Sequence, residues 1–396
     1  MEKVVVAYSG GLDTSYCVKY LLHEKNLEVH TILVNTGGFS EEELQQTEKR
    51  AYELGSSSHV NKTILEEFYQ KAIKYLIFGN VLKNNTYPLS VSAERIFQAI
   101  EVIKYAKEVG AKYIAHGSTG AGNDQIRFDV IFQTMAPEIE IITPIRDLKL
   151  SRQEEVKFLK QHGVNYSWEK AQYSINKGIW GTSVGGKETL TSHEALPEEA
   201  YPSQLQQKSS QKIKLTFEKG ELVALNGEKD TPVINIQKLE EIASLYAVGR
   251  DIHVGDTIIG IKGRVGFEAA APLVIIKAHH LLEKHVLSKW QQYWKEQLAN
   301  WYGMLLHEGN YLDPVMRNIE VFLEDSQKSV TGNVIVELKP YHFTMIGVES
   351  DFDMMKSDFG QYGEMNNSWT SDDAKGFIKI YGNANKIYHN VNPSEL

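Results

Sequence analysis

The residues of this 396-residue chain best suited to chemistry concentrate in two glycine-rich stretches. The first, Ser9-Gly10-Gly11-Leu12-Asp13-Thr14-Ser15, follows directly on the apolar run Val4-Val5-Val6-Ala7-Tyr8. Adjacent glycines let the backbone turn and bring its N–H groups close to an anion. Three hydroxyls add donors, and a helix beginning near Tyr16 would aim its positive end at the same point. This is the chemistry of phosphate binding. A tight turn is the competing reading, and the position between a Val-rich strand and a helix weighs against it. The second stretch runs His116-Gly117-Ser118-Thr119-Gly120-Ala121-Gly122-Asn123-Asp124-Gln125, with Arg127 close behind. Thr119 and Asn123 can donate to carboxylates, Asp124 can hold an ammonium, and Arg127 can clasp a carboxylate or phosphate, a set suited to a small zwitterion. The competing reading is a polar surface turn. Gly181 to Lys187 spells most of a Walker loop, but Glu188 stands where the magnesium-binding hydroxyl belongs.

Both stretches need a scaffold that presents strand ends. Residues 1–165 alternate apolar, strand-like runs (Val4 to Tyr8, Val29 to Val34, His59 to Ile64, Lys112 to Ala115, Glu140 to Thr143) with helical patterns at Glu41 to Leu54, Leu65 to Ile77 and Ala93 to Glu108. Ser151 with Glu154 makes a capping box that opens a further helix. Such alternation predicts an α/β domain with a doubly wound parallel sheet. After this the rhythm changes. Lys187 to Ser210 reads as a long excursion, Lys212 to Phe217 and Glu221 to Leu225 as a hairpin, and Thr257 to Lys262 as a strand. Residues 273–306 read as helical and aromatic, for core or subunit contact. Val334 to Leu338 pairs with Phe343 to Val348 around Pro340. The expected organisation is a nucleotide-binding domain over 1–165, an α+β domain over 166–365 and a C-terminal tail over 366–396 that needs another surface to pack on.

Composition narrows the function. Against 42 Lys and Arg stand 51 Asp and Glu, a net charge of −9 that disfavours a nucleic-acid partner. Cys17, the single cysteine, cannot form an internal disulfide and reads as a core residue. The N-terminus has no signal-peptide pattern, and the chain has no apolar run near the roughly 18 residues of a membrane span. Cytoplasmic residence is the expectation. No His, Cys or carboxylate cluster has metal-ligand spacing, so no protein-held metal is expected.

The Ser-Gly-Gly-x-Asp-Thr-Ser loop resembles that of the ATP pyrophosphatases, which cleave ATP between its α and β phosphates. With the His116 to Phe128 stretch it looks like the argininosuccinate synthase family. Tyr87-Pro88-Leu89 with Ser92 and Arg95, Ser174 and Ser183 around Trp180-Gly181, Val248-Gly249-Arg250 and Asp373 to Ile378 extend the resemblance nearly end to end. The resemblance implies ligation of citrulline to aspartate through a citrullyl adenylate, with ATP and Mg²⁺, in a homotetramer. It implies that Ala7, Tyr8, Ser9, Gly10, Gly11, Leu12, Asp13, Thr14, Ser15, Val34 and Gly117 hold ATP. It implies that Thr119, Asn123 and Asp124 hold aspartate, and that Tyr87, Ser92, Asn123, Arg127, Ser174 and Ser183 hold citrulline.

The chain departs from the family pattern in one region. Gly255 and Gly185 stand where a Glu is usual, Phe267 where a Tyr is, and Ala121 where a Lys is. A charged hydrogen bond is worth roughly 1.5–3 kcal/mol, so an α-ammonium left without its partner would bind more weakly. Three readings stay open: an acylated α-nitrogen, another acid such as Glu94 or Asp256 in the vacated role, or a different ureido substrate. RNA-modifying relatives of the loop are disfavoured by the charge and the lone Cys17. A nucleotide-binding regulatory protein without catalysis is the reading from another class.

Overall fold

The computed structural model describes residues 1–166, 173–356, 359–360, 362–364 and 368–393. The chain divides into a unit from Met1 to Asp351 and one from Phe352 to Leu396. In the first, β1 (Lys3–Ala7), β2 (Glu28–Asn35), β3 (Ser58–Thr63), β4 (Tyr113–Ala115) and β5 (Glu140–Ile142) form an all-parallel sheet in the order β3-β2-β1-β4-β5. The central strand is buried on both faces: Val5 packs into one apolar cluster, Val4 and Val6 into another on the opposite side. Helices Glu41–Glu53 and Arg152–Gln161 open on capping boxes, Ser40 with Glu43 and Ser151 with Glu154. Cys17 lies buried on the first helix.

Further strands follow: β6 (Ser174–Gly178), β7 (Gly181–Gly185), β8 (Gln211–Glu218), β9 (Glu221–Leu225), β10 (Glu228–Lys229), β11 (Arg250–Asp256), β12 (Lys262–Glu268), β13 (Gly332–Lys339) and β14 (His342–Glu349). They make two antiparallel sheets, β10-β9-β8-β13-β14 and β11-β12-β7-β6. The hairpins at 211–225 and 332–349 agree with the sequence pattern. In the second unit, helices Ser371–Tyr381 and Asn383–Val391 leave Phe377, Ile378, Tyr381 and Ile387 exposed.

Three expectations are corrected. The first helix starts at Leu12, not near Tyr16, because Gly11 already has the extended backbone of an N-cap. The run Thr257 to Lys262 is mostly the turn between β11 and β12: the Ile261 and Gly260 N–H groups bond back to Thr257 instead of to a neighbouring strand. Residues 273–306 are two helices, Ala270–Val286 and Lys289–His307, broken where Ser288 caps the second. The aromatic stripe divides accordingly, with Tyr302 buried and Trp290, Trp294 and Trp301 more than half exposed.

Candidate active site

The chain leaves β1 for β2 on one side, and β4 lies on the other, so β1 and β4 flank the switch point of the sheet. In open α/β sheets a crevice forms there at the carboxyl ends of the strands. The Ser9–Ser15 loop leaves β1 at that edge and the His116–Asp124 loop leaves β4 beside it. The two touch: a Cβ on Gly117 would lie 3.2 Å from the Asp13 carbonyl carbon and the Thr14 nitrogen. Both line a cleft of about 1240 Å³, which also reaches Val34, Tyr87, Ser92, Arg127, Ser174 and Ser183.

In the first loop, Gly10 has φ +74°, a conformation that disfavours any side chain, and Arg50 Nη1 donates to its carbonyl at 2.6 Å. Helix Leu12–His23 begins on Gly11 with no side-chain cap, so its first N–H groups remain open to an anion at the cleft. Thr14 Oγ1 contacts the Ser9 hydroxyl at 3.3 Å. Ala7, Tyr8, Gly11, Leu12, Asp13 and Thr14 line the cleft, but Ser15 does not. The early helix start explains this: the Ser15 N–H is bonded to the Gly11 carbonyl, and its side chain turns into the core. Burial pushes the Tyr8 phenol up to about 12.

The second loop is held from behind. His116 is buried; its Nε2 lies 2.9 Å from Asp129, and its Nδ1 accepts from the Ser118 N–H at 3.2 Å, which sets the tautomer with the proton on Nε2. Gln125 Nε2 donates to the Gly120 and Gly122 carbonyls at 2.7 and 3.1 Å. Asn123 Oδ1 accepts from the Ile258 N–H at 2.9 Å, tying the loop to the β11–β12 turn. Asp124 accepts from Arg95 Nε at 2.9 Å and Arg127 Nη1 at 2.8 Å. Burial would raise its carboxyl, but the two guanidiniums outweigh this and hold it at about 2. Thr119 lines the cleft at the loop's exposed tip.

Arg127 is less available than its residue type implied. It is almost fully buried, with Nε donating to the His307 carbonyl at 2.8 Å, Nη2 lying 3.2 Å from His307 Nδ1, and Nη1 on Asp124. Burial, then Arg127 and Lys83, keep His307 neutral, down to about 2. Tyr87 is buried in a stack with His253 (centroids 5.2 Å apart) and against Phe267 (5.4 Å). Ser92 bonds weakly to the Leu89 carbonyl, while Ser183 and Ser174 sit on adjacent antiparallel strands of the cleft wall. Of the two acids named as substitutes, Asp256 pairs with Lys262 at 2.6 Å. Glu94 is buried: one oxygen accepts from Thr36, and the other has no hydrogen-bond partner among the described residues.

Sequence reasoning missed Arg50, His253, His307 and Asp129. Each is an isolated residue on a helix or strand, and no local pattern separates it from an ordinary surface or core residue. A cluster of three or more His, Cys, Asp or Glu side chains able to hold a metal ion is absent among the described residues. No helix among them is long and apolar enough to cross a membrane.

Comparison with known proteins agrees with this geometry. Residues 3–165 match the family described as Arginosuccinate synthase N-terminal HUP domain, and residues 173–388 the Arginosuccinate synthase C-terminal domain. The chain belongs to the argininosuccinate synthase family. Among its relatives, the argininosuccinate synthase of Dictyoglomus turgidum is 36% identical over 389 residues, covering 98% of this chain and 97% of that protein. That of Methanocaldococcus jannaschii is 35% identical over 392 residues, with 98% of each chain covered. That of Xanthomonas campestris pv. campestris is 35% identical over 404 residues, with 99% of each covered. The family resemblance read from the two loops therefore holds along the whole chain, and the parallel sheet is its HUP domain.

Proposed function

We propose that this protein joins citrulline to aspartate at the expense of ATP, releasing AMP and pyrophosphate and forming argininosuccinate, the activity that gives its relatives their name. The observation that carries this reading is the convergence of the Ser9–Thr14 loop, the Gly117–Asp124 loop and the Tyr87, Ser92 and Ser183 wall on one cleft. The ureido oxygen of citrulline attacks the α phosphate as the bond to pyrophosphate breaks. The aspartate amine then bonds to the ureido carbon as the carbon–oxygen bond to AMP breaks, and one proton leaves the nitrogen. A ureido carbon is a poor electrophile, and adenylation supplies its leaving group.

The protein's share is positioning and anion stabilisation. The open N–H groups of the helix starting at Leu12, with the Ser9 and Thr14 hydroxyls, suit the departing pyrophosphate. Thr119, Asn123 and Asp124 suit aspartate. Tyr87, Ser92, Arg127, Ser174 and Ser183 suit the ureido acid. Mg²⁺ enters with ATP and offsets its charge. The exposed Trp290, Trp294 and Trp301 face and the exposed apolar residues on the amphipathic helices of the tail support a homotetramer, and the lone buried Cys17 supports a cytoplasmic setting.

Exchange of labelled pyrophosphate into ATP, dependent on a ureido acid, with AMP formed once aspartate is added, tests the proposal. Nucleotide binding without either reaction would leave a regulatory protein instead.

A further inference from the structure

Resting on that reading, we infer that the acceptor pocket takes citrulline whose α-nitrogen is acylated, in preference to free citrulline. The wall that would receive the amino-acid end is the β11-β12-β7-β6 sheet. Read in register, its cleft side pairs Asn176 with Ser183 and His253 with Val265, while Gly255 lies directly opposite Gly263. These are an amide, a hydroxyl, a ring, an aliphatic group and two stretches of bare backbone. The next pair is Ser174 with Gly185, where an added Cβ would meet only Ser174, at 3.8 Å. This face has no carboxylate among the described residues that line the cleft.

The acids that do line the cleft are already engaged or sit elsewhere. Asp124 sits on the second loop, where the proposed function places aspartate. Asp256 holds Lys262 on the exposed rim. Asp13 belongs to the nucleotide loop. Glu94 has an oxygen without a partner, but that oxygen is sealed from solvent, so close to Gly178 that a Cβ there would fall 1.8 Å from it. An α-ammonium against this wall would find no counter-charge among the described residues that line it, and so would bind without the charged hydrogen bond that anchors an amine. Gly263 leaves a small shelf in this wall: nothing lies within 4 Å of where its Cβ would be, whereas at Gly255 the same space is taken by the His253 ring, Nε2 2.6 Å away. An amide at the α-nitrogen removes the charge, and its acyl group fills the shelf. The acyl group takes no part in the bonds made or broken, so the reaction balances as before.

The test compares kcat/KM for AMP formation with citrulline and Nα-acetylcitrulline, at saturating ATP and aspartate. The expected result is at least a tenfold preference for the acetylated acceptor; preference for free citrulline overturns the inference. If neither acceptor supports pyrophosphate exchange or AMP formation, the ligase reading itself fails and the inference falls with it. A second variant places the missing charge: Gly263→Glu should move the preference toward free citrulline by about 10- to 150-fold, the range for one charged hydrogen bond. Gly263→Gln, of the same shape, should leave the ratio near wild type. If both variants move the ratio equally, shape and not charge controls the pocket, and the inference is wrong.

Discussion

Glu94 offers the most direct check on the electrostatics of the cleft wall. It is about 1% exposed, and burial pushes its carboxyl up to about 7, with partial relief from Arg95 at 3.9 Å and from the Thr36 hydroxyl. An unfolded chain restores the ordinary value of 4.5. Between these two values the folded protein binds the extra proton, so stability is fully present below pH 4.5 and falls as pH rises through 7. A tenfold change in proton affinity corresponds to about 1.4 kcal/mol, so ionising Glu94 at pH 8 costs the fold about 3 kcal/mol. Glu94→Gln keeps an acceptor for Thr36 and abolishes the titration. In urea unfolding at pH 5 and pH 8, the variant should gain about 2–3 kcal/mol on wild type at the higher pH relative to the lower. A difference between variant and wild type that does not change with pH would refute the reasoning: Glu94 would then be solvated or fully paired, and its unpartnered oxygen would not be buried charge.

Asp124→Asn should raise KM for aspartate about 10- to 150-fold by initial-rate kinetics, since one charged hydrogen bond to the amine would be lost. The same variant should lose about 1 kcal/mol or more of stability at pH 7, because the nearly buried Arg127 keeps its charge while the half-exposed Asp124 pair is partly screened. In the helical part of the second half, Lys295 Nζ lies 2.8 Å from Glu283 with both side chains buried. Lys295→Met should cost about 3–5 kcal/mol in denaturant unfolding, and Lys295→Met with Glu283→Leu should recover part of that loss, as expected when the penalty is an unpaired buried carboxylate.

What could be read without a structure was local. Three valines followed by Ser-Gly-Gly specify a buried strand and an anion loop through nearest neighbours alone, and the Ser151–Glu154 box specifies a helix start in the same way. The loop from His116 was legible because it repeats that logic at a second strand end. Even locally a limit showed: placing the helix start near Tyr16 mistook Ser15 for a loop donor, when backbone bonding to Gly11 had already turned it inward. Tertiary structure decided what the site residues have left to offer. Arg127 has donors committed to His307 and Asp124, partners 180 and 3 residues away, and the distant one is beyond any local pattern. His253 is stacked on Tyr87, and the long-range packing that buries it beside Lys83 pushes its imidazole below its ordinary value. Gly255 meets Gly263 only because strand register pairs them across a turn that the sequence pattern had read as a strand. Propensity and capping act over a few residues, so sequence determined the loops and their chemistry; pairing and burial act across the chain, so only the fold decided which of those groups still face a substrate.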